Sequence, residues 1–356
     1  MKKLLTGLVS LLLLGAGAAW AEGGSDERGD VRLFATLPEG ARLPEGITAN
    51  PANGDIYVGT FDGGNPNKLL RYSRHGKLLA TREFGVTPLL GLEFDRAHRK
   101  VYIANAGDFA GGQSKIQRIA ADFNGSTVIQ DVALIPAIGA PAPRVVANPD
   151  GSQDTITFGS GARVPNGLTF DRAGNLYISD SFQGAIFRIV NPDACAPSCP
   201  VQTWIHDPQL ATAGFPPFGA NGLAFNADES ALFVANTGDD RILKITPSNG
   251  AVTVFAESIN GADGLVFDRQ GRLWVCANQN DEVVALNANG RVVARLGSFD
   301  GIGRDGAPKG LLFPASPVIV GDELFVTNLA IALTPATGDE PEEDVTRWTV
   351  SRIKLP

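Results

Sequence analysis

Cysteine and histidine are scarce in this sequence of 356 residues, which contains three of each. Cys195 and Cys199 lie close together in the proline-rich segment ACAPSCP, with no second cysteine pair or histidine pair nearby. This pattern favours a small-loop disulfide, and a metal site is the less supported alternative. Cys276 lies in the apolar run LWVCAN, which is more typical of a buried side chain than of a nucleophile.

Basic charge is also low, since 30 lysines and arginines face 38 aspartates and glutamates, a formal net charge of −8. Such a chain is poorly suited to replace phosphate counterions, so we expect no nucleic-acid partner. The sequence lacks a glycine-rich phosphate loop, a nucleotide fingerprint and a G-x-S-x-G nucleophile elbow. These absences argue against nucleotide-dependent enzymes and serine hydrolases of the α/β type.

Long apolar runs are missing beyond the N-terminal segment, so we expect no membrane span. In that segment, Lys2 and Lys3 precede an apolar run that ends near Ala16, and Ala19-Trp20-Ala21 provides a small-x-small cleavage site. This is the pattern of a secretory signal, with a retained anchor as the alternative. We therefore predict a signal peptide over 1–21, a single domain over 22–356, and a periplasmic or secreted protein.

Glycine is abundant, at 42 residues, and the β-rich runs show no helical period. Six repeats can be aligned, each with a first apolar run, a turn such as FDRAGN or FDRQGR, and further β runs such as LYISD and AIFRIV. The mature chain divided by six gives about 56 residues per repeat, in the range of a four-stranded propeller blade with long loops. The sequence predicts an all-β, six-bladed β-propeller of four-stranded blades.

Ring closure can be predicted from the sixth repeat, in which no fourth β run follows the third. Val31–Leu37, with the sequence VRLFATL, is an otherwise unassigned strand of suitable composition. We predict that it supplies the outer strand of the last blade and so removes an exposed edge. Long connections over 132–164, 206–219 and 330–344 are expected to form walls or lids over a site, or to be tolerated surface loops.

One position varies between the repeats where the scaffold does not require variation: the residue before the glycine that opens each first run. In chain order it is occupied by Glu45, Leu90, Asn166, Asn221, Asp263 and, in the weaker sixth copy, Ser316. Equivalent positions on the innermost strands of a propeller converge near the central channel, so four oxygen-bearing side chains are expected to meet there. Two carboxylates and two amide oxygens suit Ca²⁺, although another divalent ion is an alternative. The competing interpretation is that Asn-Gly and Asp-Gly only start turns.

The runs PNGLTFDRAGNLYISDS, NGLAFNADESALFVANT and ADGLVFDRQGRLWVCAN resemble the gluconolactonase, senescence-marker-protein and luciferin-regenerating-enzyme superfamily. Paraoxonases and strictosidine-synthase-like proteins are more distant relatives. The resemblance implies a six-bladed propeller that holds Ca²⁺ or another divalent ion and hydrolyses lactones or related esters, hence a small-molecule substrate. It also implies that Glu45 and Asp263 are the acidic ligands, and that Asn166 and Asn221 are the amide ligands.

The chemistry expected at such a site is polarisation of a lactone carbonyl by the ion. Asp263 is the candidate to orient or deprotonate water, or it serves only as a ligand. Loops after the second strand of each blade should open on the same face as the ligands. From these loops Asp180, and also Asn105 and Asn278, are candidates to hydrogen-bond the ligand side chains or to contact the substrate. We assign no catalytic histidine, because His75, His98 and His206 lie in turns or after an outer strand, unlike the histidine dyad of paraoxonase-like enzymes.

The sequence therefore predicts an exported, Ca²⁺-dependent hydrolase of lactones or related esters, acting as a monomer. The alternative is a non-catalytic propeller of the NHL type that binds a small molecule, a peptide or a glycan. Such propellers share the NGL-and-turn pattern, so the scaffold by itself does not decide between these functions. A lyase or synthase on the same scaffold is a third possibility.

Overall fold

The computed structural model describes residues 28–109, 113–159 and 161–356, and it folds the repeats into antiparallel sheets of four strands. The predicted signal peptide lies outside the described residues. Within the described ranges, no helix has the length and apolar character needed to cross a membrane.

Each blade runs in chain order from its inner strand to its outer strand. A first strand, β1 (Val31–Thr36), precedes the blades. Blade 1 contains β2 (Pro44–Ala49), β3 (Ile56–Thr60), β4 (Asn67–Tyr72) and β5 (Leu78–Gly85). Blade 2 contains β6 (Leu89–Asp95), β7 (Lys100–Asn105), β8 (Lys115–Ala120) and β9 (Gln130–Leu134), after which β10 (Arg144–Ala147) and β11 (Gln153–Ile156) form a separate hairpin.

The next two blades follow the same order. Blade 3 contains β12 (Pro165–Phe170), β13 (Leu176–Asp180), β14 (Ala185–Ile189) and, after a short helix α1 (Pro192–Cys195), β15 (Gln202–His206). Cys195 at the end of this helix is joined to Cys199 by a disulfide. Blade 4 contains β16 (Ala220–Phe225), β17 (Leu232–Asn236), β18 (Arg241–Thr246) and β19 (Ala251–Glu257).

Blade 5 contains β20 (Ala262–Phe267), β21 (Leu273–Ala277), β22 (Glu282–Leu286) and β23 (Val292–Leu296), with a 3₁₀ turn at Asn278–Asn280. A hairpin that the repeat pattern does not predict follows, formed by β24 (Phe299–Ile302) and β25 (Pro308–Gly310). Blade 6 contains β26 (Pro314–Val320), β27 (Glu323–Asn328) and, after a 3₁₀ turn at Pro341–Asp344, β28 (Thr349–Lys354). The inner strands contact one another in a closed cycle, β2, β6, β12, β16, β20, β26 and back to β2, so the fold is a six-bladed propeller.

The ring is closed by β1, which pairs with β28 as the outermost strand of blade 6. The pairing runs from Val31 opposite Ile353 to Thr36 opposite Thr349. Leu37 continues it with a backbone hydrogen bond of 2.9 Å to the Trp348 carbonyl, although the strand itself ends one residue earlier. The predicted closure by the N-terminal strand is confirmed, and it leaves no open edge at the junction of the two ends.

The apolar core is divided among the interfaces between neighbouring blades. Between blades 1 and 2, Tyr57 is fully buried beside Phe94 and Phe123, and its hydroxyl donates to the Ala121 carbonyl at 2.8 Å. Comparable clusters fill the other interfaces. Because burial of one such side chain stabilises by about 1.5–3 kcal/mol, these interfaces hold the inner strands in fixed positions around the channel.

Candidate metal centre

Each inner strand has a β-bulge at its second and third residues. The register of β12 against β13 shifts between Pro165 and Leu168, which brackets Asn166-Gly167, and the same shift occurs at the equivalent place in the other five inner strands. A bulge bends its strand and changes the direction of a side chain. Asn-Gly and Asp-Gly therefore lie inside strands, and the interpretation that they only start turns is wrong.

In blades 1–5 the second residue of the pair is glycine, because the next inner strand approaches closely. A Cβ atom on Gly167 would lie 2.6 Å from the Asn221 carbonyl oxygen, and one on Gly222 would lie 2.7 Å from the Asp263 carbonyl oxygen. Both distances are too short for any side chain. The glycines thus set the spacing between the residues that precede them, which is why the two positions occur together in the sequence.

The residues before these glycines meet at one cavity of about 70 Å³. Glu45, Asn166, Asn221 and Asp263, the four predicted ligands, all line it, and Leu90 from blade 2 completes this part of the lining. In blade 6 the bulge places Ala315 at this position and Ser316 at that of the glycine, so the alignment of Ser316 with Glu45 and Asp263 is wrong by one residue. Ser316 lines the wider opening on the other side of the layer formed by these glycines. We call the four oxygen-bearing residues the ring residues. The cavity has room for a small ion and a few water molecules.

Two carboxylates are buried together in this cavity. Glu45 and Asp263 are each 4% exposed, and Glu45 Oε2 and Asp263 Oδ1 have no hydrogen-bond partner among the described residues. Burial raises the pKa of Asp263 from 3.8 to about 7. Burial and the nearby charge of Asp263 raise the pKa of Glu45 well above its usual value. Unpartnered buried carboxylate oxygens are costly, and a bound cation would satisfy both of them.

The two amides are held by hydroxyl groups at the ends of neighbouring strands. Asn166 Nδ2 donates to Ser181 Oγ at 3.0 Å, and Asn221 Nδ2 donates to Thr237 Oγ1 at 3.0 Å. Each hydroxyl in turn donates to a backbone carbonyl of the next inner strand, at 2.7 Å in both cases. The same arrangement in blades 3 and 4 fixes the amide plane, with the nitrogen bound to protein and the carbonyl oxygen as the remaining ligand atom.

The donor set consists of hard oxygen atoms. Among the described residues that line the cavity there is neither histidine nor cysteine. Carboxylate and amide oxygens suit Ca²⁺ better than zinc or copper. The residues present therefore fit a calcium ion, with water completing its coordination.

Of the three further residues selected from the sequence, the structure brings Asn278 to the cavity. Asn278 Nδ2 donates to Asp263 Oδ2 at 3.2 Å, and Asn278 Oδ1 is buried without a partner among the described residues. It therefore orients the carboxylate whose other oxygen faces the cavity.

Asp180 and Asn105 are not brought to the cavity. The Asp180 carboxylate accepts backbone N–H groups of Val164, Phe182 and Gln183, at 2.9–3.2 Å, together with the Gln183 side chain. Asn105 pairs with Gln117 and accepts the N–H of Gly107. Both residues stabilise the loop that follows their own strand, because the chain turns back there and the side chain is captured by local donors.

The mouth of the cavity is apolar. Two of the three long connections contribute to it: the connection at 206–219 supplies Pro216 and Phe218, and the connection at 330–344 supplies Ile331 and Leu333. The remaining connection, at 132–164, reaches this face through its hairpin, since Arg144 Nη2 lies 3.2 Å from Asp239 Oδ2. The long connections at 206–219 and 330–344 thus form walls, as one of the two interpretations of the sequence expected.

A second group of potential ligands, Asp95, His98 and Asp193, lies on another part of the surface, with its ligand atoms within 4.8 Å of one another. Here His98 Nδ1 is 2.7 Å from Asp95 Oδ2, and Asp193 is paired with Lys100 and with Arg118 Nη1. The carboxylates are already neutralised by side chains, so this group lacks the unpartnered oxygens of the ring residues.

The relationships to known proteins agree with this architecture. Residues 207–297 match a family model described as the SMP-30/gluconolactonase/LRE-like region. Solved structures with similar folds include a luciferin-regenerating enzyme, with a TM-score of 0.60 and 14% identity, covering 92% of this chain and 97% of that chain. No curated protein matches the chain in sequence.

Two further structures are similar over most of both chains. Regucalcin from Agrobacterium tumefaciens, described as a calcium-binding protein, has a TM-score of 0.56 and 16% identity over 91% of this chain and 96% of that chain. A gluconolactonase from Xanthomonas campestris has a TM-score of 0.54 and 17% identity over 93% and 91%. At these identities the structures share the fold. The resemblance to the SMP-30/gluconolactonase/LRE-like family is confirmed by the family model over residues 207–297, and the solved structures share the six-bladed fold.

Proposed function

We propose that this chain is an exported, Ca²⁺-dependent hydrolase of lactones or related esters. The observation that carries the proposal is the pair of buried carboxylates, Glu45 and Asp263, with unpartnered oxygens at one cavity between two fixed asparagine amides. The match to a family that includes gluconolactonases supports the choice of substrate class.

The ion would be held by Glu45, Asn166, Asn221 and Asp263. When bound, Ca²⁺ supplies a Lewis acid that polarises the ester carbonyl and stabilises negative charge on its oxygen. The hydroxyls of Ser181 and Thr237 keep the two amides in place, so these ligands need little reorganisation.

The chain's own proton acceptor in this scheme is Asp263. Its Oδ2 atom accepts a hydrogen bond from Asn278, which leaves Oδ1 facing the cavity and the attacking water. Burial raises the pKa of Asp263 to about 7 in the metal-free protein, and a bound cation would favour the charged carboxylate, the form that can accept a proton. The apolar mouth limits the entry of bulk water around this carboxylate.

A turnover assay tests the proposal. Hydrolysis of a panel of lactones is followed in a pH-stat for the wild-type protein with Ca²⁺, with EDTA, and after Ca²⁺ is added back. We expect EDTA to abolish turnover and Ca²⁺ to restore it, while Asp263→Asn lowers kcat at least about 100-fold. Asp228→Asn, the same change at an exposed turn, is the matched control and retains full activity. Full activity of the metal-free protein would contradict the proposal.

The alternative, a binding propeller of the NHL type, is favoured by one feature of the ring: Leu90 occupies a position where a further oxygen ligand could stand. It predicts tight Ca²⁺ binding with no turnover on any lactone of the panel. Ca²⁺-dependent turnover of any lactone of the panel would exclude it. Export is tested separately by N-terminal sequencing of the secreted or periplasmic protein, which we expect to begin at Glu22.

A further inference from the structure

The wall around the ring residues is apolar on every side that the structure describes. Beyond the ring residues, Leu90, Thr237 and Asn278, the lining consists of Phe61, Pro216, Phe218, Phe313, Leu329, Ile331 and Leu333. No lysine, arginine, serine or tyrosine lies among these described lining residues. A substrate that reaches the ring residues therefore passes along hydrocarbon surface.

This apolar surface is built into the fold. Phe61 contacts Phe109 and Phe218 with ring centroids 5.9 and 6.5 Å apart, and Phe182 closes the group with centroid distances of 5.4 Å to Phe218 and 6.4 Å to Phe109. The four rings come from the ends of blades 1, 2 and 3 and from the connection at 206–219. Leu329, Ile331, Leu333 and Phe313 form a second cluster that also contacts Phe61. Because each cluster contains side chains from separate parts of the chain, the wall has a defined shape.

Each amide nitrogen in the cavity already has a partner within the protein. The amide nitrogens of Asn166 and Asn221 donate to hydroxyls, and the amide nitrogen of Asn278 donates to Asp263. The Thr237 hydroxyl donates to a backbone carbonyl. A sugar lactone brings several hydroxyl groups. Asn278 Oδ1 can accept a hydrogen bond from one of them, and on this wall most of the others would lose water without gaining a partner. Enzymes discriminate strongly against ligands whose polar groups are left unpaired.

We infer that the substrate of this site is a lactone or ester with an apolar alkyl or aryl substituent rather than a polyhydroxylated sugar lactone. This inference rests on the proposed function. The carbonyl end of the substrate reaches the small cavity at the ring residues, and its substituent lies outside that cavity, along the apolar wall at Phe61, Phe218 and Leu333.

The test compares γ-decanolactone with D-glucono-δ-lactone, using the full protein with Ca²⁺ and correcting for spontaneous hydrolysis. We expect kcat/KM for the alkyl lactone to exceed that for the sugar lactone at least tenfold. Equal values, or a preference for the sugar lactone, would overturn the inference while leaving the proposed function intact.

A matched pair of variants locates the preference in the wall. Leu333→Ala should raise KM for γ-decanolactone about tenfold, and its effect on kcat/KM for the sugar lactone should be much smaller. Leu134→Ala is the control, because Leu134 is an exposed leucine on the outer strand of blade 2. An equal loss on both lactones, or no effect of Leu333→Ala, would contradict the placement of the substituent. Thermal melting of both variants checks that they are folded.

Failure of the proposed function has a different signature, since neither lactone would then be hydrolysed. In that case the same two compounds are compared as ligands by isothermal titration calorimetry. Binding of γ-decanolactone at least tenfold tighter than binding of the sugar lactone would retain the apolar wall as the determinant of ligand class. Equal or weaker binding would overturn it.

Discussion

Replacement of Asp263 by asparagine should stabilise the metal-free protein at alkaline pH, although Asp263 is buried at the centre of the fold. In the absence of a cation the folded state must either hold a proton on this carboxylate or bury its charge beside Glu45. The unfolded chain has neither cost, because there the carboxylate is solvated. Asp263→Asn removes the charge and keeps the shape of the side chain.

The size of the effect follows from the pKa of Asp263, about 7 in the folded protein against an ordinary value of 3.8. Between these values the folded state binds a proton that the unfolded state has lost, so stability falls as pH rises from about 4 to about 7. A shift of about three pKa units corresponds to about 4 kcal/mol above pH 7. For a protein of this size that is about 5 °C in Tm.

The assay is thermal unfolding between pH 5 and pH 8.5, in EDTA and in Ca²⁺, for the wild type, Asp263→Asn and the exposed control Asp228→Asn. In EDTA the Tm of the wild type and of Asp228→Asn should fall across this range, and that of Asp263→Asn should fall by about 5 °C less; a part of the fall remains because the Glu45 carboxyl is still buried. Ca²⁺ should raise the wild-type Tm most at alkaline pH and have little effect on Asp263→Asn. Destabilisation by Asp263→Asn at every pH, with an unchanged response to Ca²⁺, would refute this reasoning.

Three further changes test the parts of the account separately. Thr237→Val removes the hydroxyl that holds the Asn221 amide at 3.0 Å, so calorimetry should show Ca²⁺ affinity at least tenfold weaker. Thr237→Ser should recover the affinity. Unchanged affinity in Thr237→Val would mean that the hydroxyl does not position the ligand. Gly222→Ala places a Cβ atom 2.7 Å from the Asp263 carbonyl oxygen. It should lower the free energy of unfolding, measured with denaturant, by about 1–3 kcal/mol and weaken Ca²⁺ binding. A neutral result would argue against the close approach of the inner strands. Deletion of residues 22–38 removes β1 and should lower Tm sharply, whereas a small change would contradict closure of the ring by this strand.

The blades and their closure could be predicted from the sequence because each repeat carries its own turn and strand pattern. The convergence of Glu45, Asn166, Asn221 and Asp263 followed from the same repeat, since equivalent positions on inner strands face one channel. The pattern could not show why glycine follows each of these residues. The structure explains it by a bulge in every inner strand and by close approach, since a Cβ atom on Gly91, Gly167 or Gly222 would lie 2.2–2.7 Å from the neighbouring strand.

The residues around the ligands were harder to predict from sequence. Asp180 and Ser181 are neighbours in the run ISDS, and successive side chains of an extended chain point to opposite sides. The hydroxyl of Ser181 reaches Asn166, while the Asp180 carboxylate is captured by the backbone of its own loop. A hydroxyl residue at the same place in ISDS and VANT was a usable signal, because Ser181 and Thr237 hold the amides of successive blades.

Ser316 shows where the repeat misleads. Its inner strand starts at Pro314 and carries the same bulge, yet the cavity that Ser316 lines is the opening on the other side of the glycine layer. The register shift in this strand brackets Ala315 and Ser316, so Ala315 holds the position of the ring residues and Ser316 holds the position of the glycine; a Cβ on the neighbouring Gly264 would lie 2.7 Å from the Ala315 carbonyl oxygen. Blade 6 therefore keeps the bulge of the other blades, and the sequence alignment of this weakest copy is wrong by one residue.

The most direct test of the account is a crystal structure of the protein grown with Ca²⁺, with anomalous scattering used to locate the ion. We predict one ion in the channel, with oxygen atoms of Glu45, Asn166, Asn221 and Asp263 at about 2.3–2.6 Å. An empty ring with calcium bound only at Asp95, His98 and Asp193, or no bound calcium at all, would contradict the central claim.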